Sequence, residues 1–201
     1  MTMRKDGVII TKPVEIILPE NSLFETVYIT SQMLDERTRE LAADISEDYK
    51  GEEIVIVCVM KGAVCFTIDL IRYITMPLIV DFITVVSYGP GARSTGIVEL
   101  KKDIDTNIKG KHVLVIEDIL DSGRTLSYLI EHLENKNPAS IKVCALLDKP
   151  EHRKYPIPLA YRGFVIPDIF IVGYGMDYDQ RYRELPDMGL LKVDKRIKQE
   201  S

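Results

Sequence analysis

The stretch Val113–Leu133, VLVIEDILDSGRTLSYLIEHL, decides how this chain is read. Val113 to Ile116 is an apolar run that reads as a strand, and the acids Glu117, Asp118 and Asp121 follow at its end. Ser122, Gly123 and Arg124 then lead to Thr125, where helical spacing begins. A glycine-containing turn at a helix N-terminus offers free backbone N–H groups and the positive end of the dipole, a natural seat for a phosphate. Three carboxylates beside it would repel that same phosphate. A ligand that suits both is a phosphorylated sugar with free hydroxyls: the hydroxyls donate to the acids while the turn holds the phosphate. Ribose 5-phosphate fits. If the sugar also carries a pyrophosphate, a Mg²⁺ on sugar and pyrophosphate oxygens would offset charge near the acids.

Working outward, helix and strand patterns alternate. Leu34, Leu41, Ala42, Ile45 and Tyr49 fall near helical spacing, which predicts an amphipathic helix over 31–49. EIVIVCVM, ending at Met60, is a continuous Val- and Ile-rich run, as in a parallel strand covered on both faces. GAVCFTIDLIRYI has helical character. LIVDFITVVSY reads as a strand, followed by the loop GPGARSTG and the strand-like IVELKKD. A strand (113–117), a helix (125–134) and a strand (141–147) follow. This alternation predicts an α/β fold with a mainly parallel sheet flanked by helices. The last third, from Lys149, is rich in proline and tyrosine and offers short strands, which predicts a small cap over the carboxyl edge of the sheet, where open α/β folds bind ligands.

At 201 residues one domain is expected. The 46% hydrophobic and 28% charged content is that of a globular protein. A formal net charge of -5 argues against broad binding to nucleic acid or to an anionic membrane, so any phosphate site must be local. MTMRKDGVII turns polar too soon for a signal peptide, and IVIVCVM is too short to span a bilayer. A soluble, cytoplasmic protein is expected. Cys58, Cys65 and Cys144 sit in apolar segments without C-x-x-C spacing, which suits reduced core thiols.

Several familiar patterns fail on counting. GPGARSTG has Ser94 where a dinucleotide fingerprint needs glycine, and no G-x-x-x-x-G-K-[ST] occurs. DIDTNIKG, from Asp103, has Ile108 and Leu114 where a calcium loop needs Gly and Glu. His112, His132 and His152 lie too far apart for metal-ligand spacing and are assigned to the surface.

The segment VLVIEDILDSGRT resembles the phosphoribosyl pyrophosphate motif of the type I phosphoribosyltransferases. VMKGAVCF, SYGPGARSTG, EDILDSGRT and FIVGYGMDYDQRYREL resemble, in the right order, segments of the hypoxanthine-guanine members, over about residues 25–190. The resemblance implies the type I phosphoribosyltransferase fold over 1–201, with a core of about 25–150. The cap, mainly about 150–195 with N-terminal residues, would bind purine.

It also implies roles. Glu117 and Asp118 would take the ribose hydroxyls and, with Asp177, neighbour Mg²⁺. Ser122, Gly123, Arg124 and Thr125, with Asp121 beside them, would hold ribose 5-phosphate. Asp121 would face the purine N7 as general base. A free aspartate titrates near about 4, so Asp121 would act as the ring loses electron density to the sugar. Lys61 and Gly62 would bind pyrophosphate together with Arg183, and the bond before Lys61 can be a non-proline cis peptide in this family. Ser87 and Tyr88 would open a mobile lid over 87–96. Lys149 would donate to the 6-oxo group, Phe170 would stack on the base, the Ile171 backbone would read its edge, and Asp177 would complete the purine site. Asp177 and Arg183 are too far apart to pair on one helical face and are expected to point at a shared ligand. The expected substrates are phosphoribosyl pyrophosphate and a 6-oxopurine, in a homodimer or homotetramer that binds neither nucleic acid nor membrane. A xanthine-preferring enzyme, or a non-catalytic nucleotide sensor on the same fold, is the alternative. The sensor is disfavoured by the net acidity and by the retention of Asp121, Lys61 and the lid segment.

Overall fold

The computed structural model describes residues 7–87 and 98–192. The chain runs through β1 (Val8–Ile9), β2 (Phe24–Ile29), α1 (Ser31–Asp48), β3 (Ile54–Met60), α2 (Val64–Tyr73), β4 (Leu78–Ser87) and β5 (Val98–Lys102). There follow β6 (His112–Leu120), α3 (Arg124–Glu134), β7 (Ser140–Asp148), a 3₁₀ turn (Pro150–His152), β8 (Leu159–Val165) and β9 (Met188–Leu191). Seven strands form one sheet in the order β1-β8-β7-β6-β3-β4-β5, while β2 and β9 form a separate antiparallel pair. In the large sheet only β5 runs antiparallel to its neighbour. This is the expected α/β fold with a small second layer of strands.

The unbroken apolar run of β3 has a direct cause. Ile54, Ile56 and Cys58 join a core cluster with Leu34, Leu41 and Ile45 of α1 and Phe66 and Leu70 of α2. Val55, Val57 and Val59 join another with Leu126, Leu129 and Leu133 of α3. A strand covered on both faces loses its polar alternation. β6 repeats the pattern, with Leu114 and Ile116 in one cluster and Val113 and Val115 in the other. The α1 residues picked by spacing are buried, and Thr30 caps the helix by accepting from the Met33 N–H at 3.2 Å. Burial pushes the Cys58 thiol up to about 11 and also raises Cys65 and Cys144, so these thiols stay protonated, as core cysteines do.

Topology locates the crevice. β3 and β6 are neighbours, but β3 continues through α2 to β4 on one side and β6 through α3 to β7 on the other. Ligands bind outside the carboxyl ends of strands at such a switch point. The β3–β6 ladder stops at Cys58↔Ile116, whereas β6 stays paired with β7 as far as Leu120↔Asp148.

Three differences from the sequence reading stand out. β6 carries Glu117 and Asp118 within the strand and ends at Leu120, not 117, because β7 continues to supply ladder partners. α3 begins at Arg124, one residue before the expected Thr125. β8, read as part of the cap, pairs parallel with β7 in the main sheet, and its Tyr161 and Phe164 are buried. Of the expected lid, Ser87 is the last residue of β4, while Tyr88 and the rest through 96 lie outside the described residues.

Candidate active site

A cavity of about 490 Å³ opens at the carboxyl ends of β3 and β6. Its wall contains Lys61 and Gly62, the whole run from Glu117 to Leu126, and Asp177 and Arg183. Sequence-distant residues thus converge because β3 and β6 are adjacent and the 173–187 segment folds over them.

Glu117 is buried, and burial together with the neighbouring Asp118 charge holds its carboxyl well above the usual carboxylate range. Its Oε1 accepts from the Asp118 N–H at 3.2 Å, and Asp118 Oδ1 accepts from the Ile119 N–H at 2.8 Å. The other Asp118 oxygen lies against Gly62, where an added Cβ would sit 1.5 Å from Oδ2. The Met60–Lys61 peptide is cis.

The turn into α3 depends on Gly123, whose φ of 83° lies in the left-handed region and whose Cβ would come 3.1 Å from the Tyr155 carbonyl oxygen. The Ser122 carbonyl accepts from the Lys154 and Tyr155 N–H groups at 2.9 and 3.1 Å, which pins the turn to the segment after β7. The first N–H groups of α3 have no partner inside the helix and face an anion's natural position.

From the other side, Arg183 pairs with Asp177 at 2.7 Å and donates to the Gly175 carbonyl at 2.7 Å. The expectation that these two would not pair assumed helical geometry. The segment is a hairpin-like turn, with Tyr178 bridged to Arg181 and the Gly175 N–H bonded to the Arg183 carbonyl. Gly175 has φ 100°, and a Cβ there would meet the Gly62 carbonyl at 2.1 Å, so the turn packs directly on the Lys61–Gly62 backbone. Lys61 Nζ donates to Gln180 Oε1 at 3.0 Å.

The family model of the phosphoribosyl transferase domain matches residues 29–179. The chain belongs to the phosphoribosyltransferase family. A hypoxanthine-guanine phosphoribosyltransferase of Mycobacterium avium is 42% identical over 182 residues, which is 88% of this chain and 89% of that one. One from Bacillus subtilis strain 168 is 45% identical over 168 residues, with 84% and 93% coverage. The crystal structure of a hypoxanthine phosphoribosyltransferase from Staphylococcus aureus superposes with a TM-score of 0.81 at 42% identity, covering 87% of this chain and 97% of that one.

Of the four residues expected at a purine, Lys149, Phe170 and Ile171 are not in the wall of this cavity. Lys149 Nζ donates to the Ile169 carbonyl at 2.8 Å and pairs with Asp168 at 3.2 Å. Phe170 is 64% exposed, so it is not a core residue, and it meets Tyr178 edge-on at 6.0 Å in a small apolar pocket. Ile171 is buried and belongs to the core cluster on the α1 and α2 side of the sheet. Asp177 alone of the four lines the main cavity.

Several site residues escaped sequence reasoning. Gly175 and Gln180 were missed because their roles are backbone approach and a contact across the fold. His152, assigned to the surface, places Nδ1 2.9 Å from Asp121 Oδ1, and Arg153 Nε donates to the Asp121 carbonyl at 3.1 Å. No local pattern marks either one.

Among the described residues no cluster of three or more His, Cys, Asp or Glu could hold a metal ion. Mg²⁺ keeps several waters and is bound through one or two carboxylates plus substrate oxygens, not by an all-protein cage. Glu117, Asp118 and Asp177 all line the cavity, and one or two carboxylates among them would meet that demand.

Proposed function

We propose that this protein is a purine salvage enzyme that transfers the 5-phosphoribosyl group from phosphoribosyl pyrophosphate to hypoxanthine or guanine, releasing pyrophosphate. The observation that carries this reading is the convergence, in one cavity, of the Glu117–Asp118 pair, Asp121 and the Gly123 turn at the start of α3. The amides of 122–125 with the Ser122 and Thr125 hydroxyls hold the 5-phosphate, and Arg124 adds charge at the rim. Glu117 and Asp118 accept from the ribose hydroxyls. Lys61, the Gly62 backbone and Arg183 meet the pyrophosphate. Mg²⁺, when bound near Glu117, Asp118 and Asp177, supplies charge stabilisation for the departing pyrophosphate.

In the reaction the bond from ribose C1 to the pyrophosphate oxygen breaks as purine N9 bonds to C1. Asp121 receives the N7 proton as the ring gives electron density to the sugar. Positive charge builds at C1, so holding both reactants in line and keeping water out account for much of the rate. Lys149 donates to the 6-oxo oxygen, Phe170 stacks on the base and the Ile171 backbone reads its edge, within a cap that includes β2 and β9. A 6-oxo acceptor suits a lysine donor, whereas the exocyclic amine of adenine does not.

We place the protein in the cytoplasm, where free cysteines are the rule; no helix among the described residues is long and apolar enough to cross a membrane. The test is an ultraviolet assay with phosphoribosyl pyrophosphate and Mg²⁺, offering hypoxanthine, guanine, xanthine and adenine separately. Turnover of hypoxanthine or guanine, lost with chelator, is expected. Turnover of xanthine alone, or of none while phosphoribosyl pyrophosphate still binds, would overturn the reading.

A further inference from the structure

Asp121 is held from two directions by one short turn. The 3₁₀ turn follows β7, and its anchor is Asp148, the buried last residue of that strand. Asp148 pairs with Arg162 at 2.6 Å and with Arg153. Arg153 then donates to the carbonyls of Leu120 and Asp121 at 3.3 and 3.1 Å, so the backbone carrying Asp121 is tied to a buried ion pair. His152 takes the side chain: Nδ1 lies 2.9 Å from Asp121 Oδ1, and Nε2 lies 3.4 Å from Asp168 Oδ2. Asp168 Oδ1 in turn meets Lys149 Nζ. A neutral imidazole carries one ring N–H, and a carboxylate that cannot donate when ionised is met by that N–H.

We infer that His152 is a positioning residue for Asp121: its Nδ1–H fixes the carboxylate through Oδ1 and leaves Oδ2 turned to receive the purine proton. This rests on the function proposed above and adds to it a residue outside the cavity wall. As an ion pair the contact is worth little, because Asp121 and His152 are 54% and 40% exposed in their side chains. Its effect is on geometry, where a displaced catalytic group costs rate without costing affinity. Asn places its side-chain N–H where the imidazole Nδ1 stands; Ala and Leu place nothing there.

The test is single-turnover nucleotide formation with hypoxanthine, Mg²⁺ and saturating phosphoribosyl pyrophosphate, in wild type, His152→Ala, His152→Asn and Asp121→Asn, and in the double variant Asp121→Asn/His152→Ala. Thermal unfolding and phosphoribosyl pyrophosphate affinity are measured alongside. His152→Ala is expected to slow the chemical step about 10-fold, with affinity and melting temperature near wild type. His152→Asn should recover most of the rate, and His152→Ala should slow Asp121→Asn no further. Wild-type rate in His152→Ala, or an equal loss in both backgrounds, would overturn the inference while leaving the proposed function standing. A His152→Ala loss that appears wholly in affinity would overturn it as well. A wild type that turns over no purine would overturn both.

Discussion

A methyl group added at Gly62 would fall 1.5 Å from an Asp118 carboxylate oxygen, so this glycine is a requirement of the acid and not of its own backbone. Gly62→Ala should expel Asp118 from its place and lower turnover by about 100-fold, since displacements of an ångström in a catalytic group cost that much. The melting temperature should change little, because the side chain that must move is an incompletely buried one at the cavity wall. Steady-state kinetics with differential scanning calorimetry separates the two effects, and an active Gly62→Ala enzyme would show that Asp118 need not sit there. The acids themselves were legible from sequence, because carboxylates beside a phosphate-binding turn are chemically odd and demand a ligand. Gly175, Gln180 and His152 were not, because each acts on a partner far along the chain. The Asp121 contact of His152, for example, spans 31 residues.

At the scale of elements, strands covered on both faces announced themselves, and strand ends did not. β3 and β6 were readable because two separate helical layers bury them, which makes the sequence apolar throughout. The extension of β6 to Leu120 depends on ladder bonds with β7 that no local pattern encodes, and β8 was hidden by the prolines that flank it. Asp81 shows how one side chain fixes an element boundary. Buried in β4, it accepts from the Asp105 and Thr106 N–H groups at 2.8 and 2.7 Å and so fastens the segment between β5 and β6. Burial alone would raise its carboxyl, but the bonds from Thr106, Phe82 and Asp105 outweigh it and hold the group below the ordinary range. A depressed carboxyl contributes stability above the unfolded value of about 4 and loses it as pH falls through the lower folded value. Asp81→Asn should therefore cost about 1–3 kcal/mol at neutral pH, with the gap to wild type narrowing in acid. Urea denaturation at pH 7 and below pH 4 measures both, and a gap that widened in acid would contradict the assignment.

For the whole molecule, part of the described surface is apolar. Ile9 and Ile17 are 72% and 101% exposed, and Leu23 is 50% exposed, all on the N-terminal segment. The expected homodimer or homotetramer would bury such residues. Light scattering after gel filtration should give two or four times the 22.9 kDa chain mass, and a single-chain mass would exclude stable assembly. Fold class followed from alternation alone, and family from four motif segments in order. The switch point between β3 and β6 explains why both readings pointed to the same crevice. On the proposed function, this crevice seats a phosphorylated ribose on the Gly123 turn with its hydroxyls on Glu117 and Asp118. The most direct test is a crystal structure with phosphoribosyl pyrophosphate and Mg²⁺. The 5-phosphate is expected within about 3 Å of the 122–125 amides, with the ribose hydroxyls on the paired acids. A 5-phosphate bound elsewhere, with that turn untouched, would contradict it.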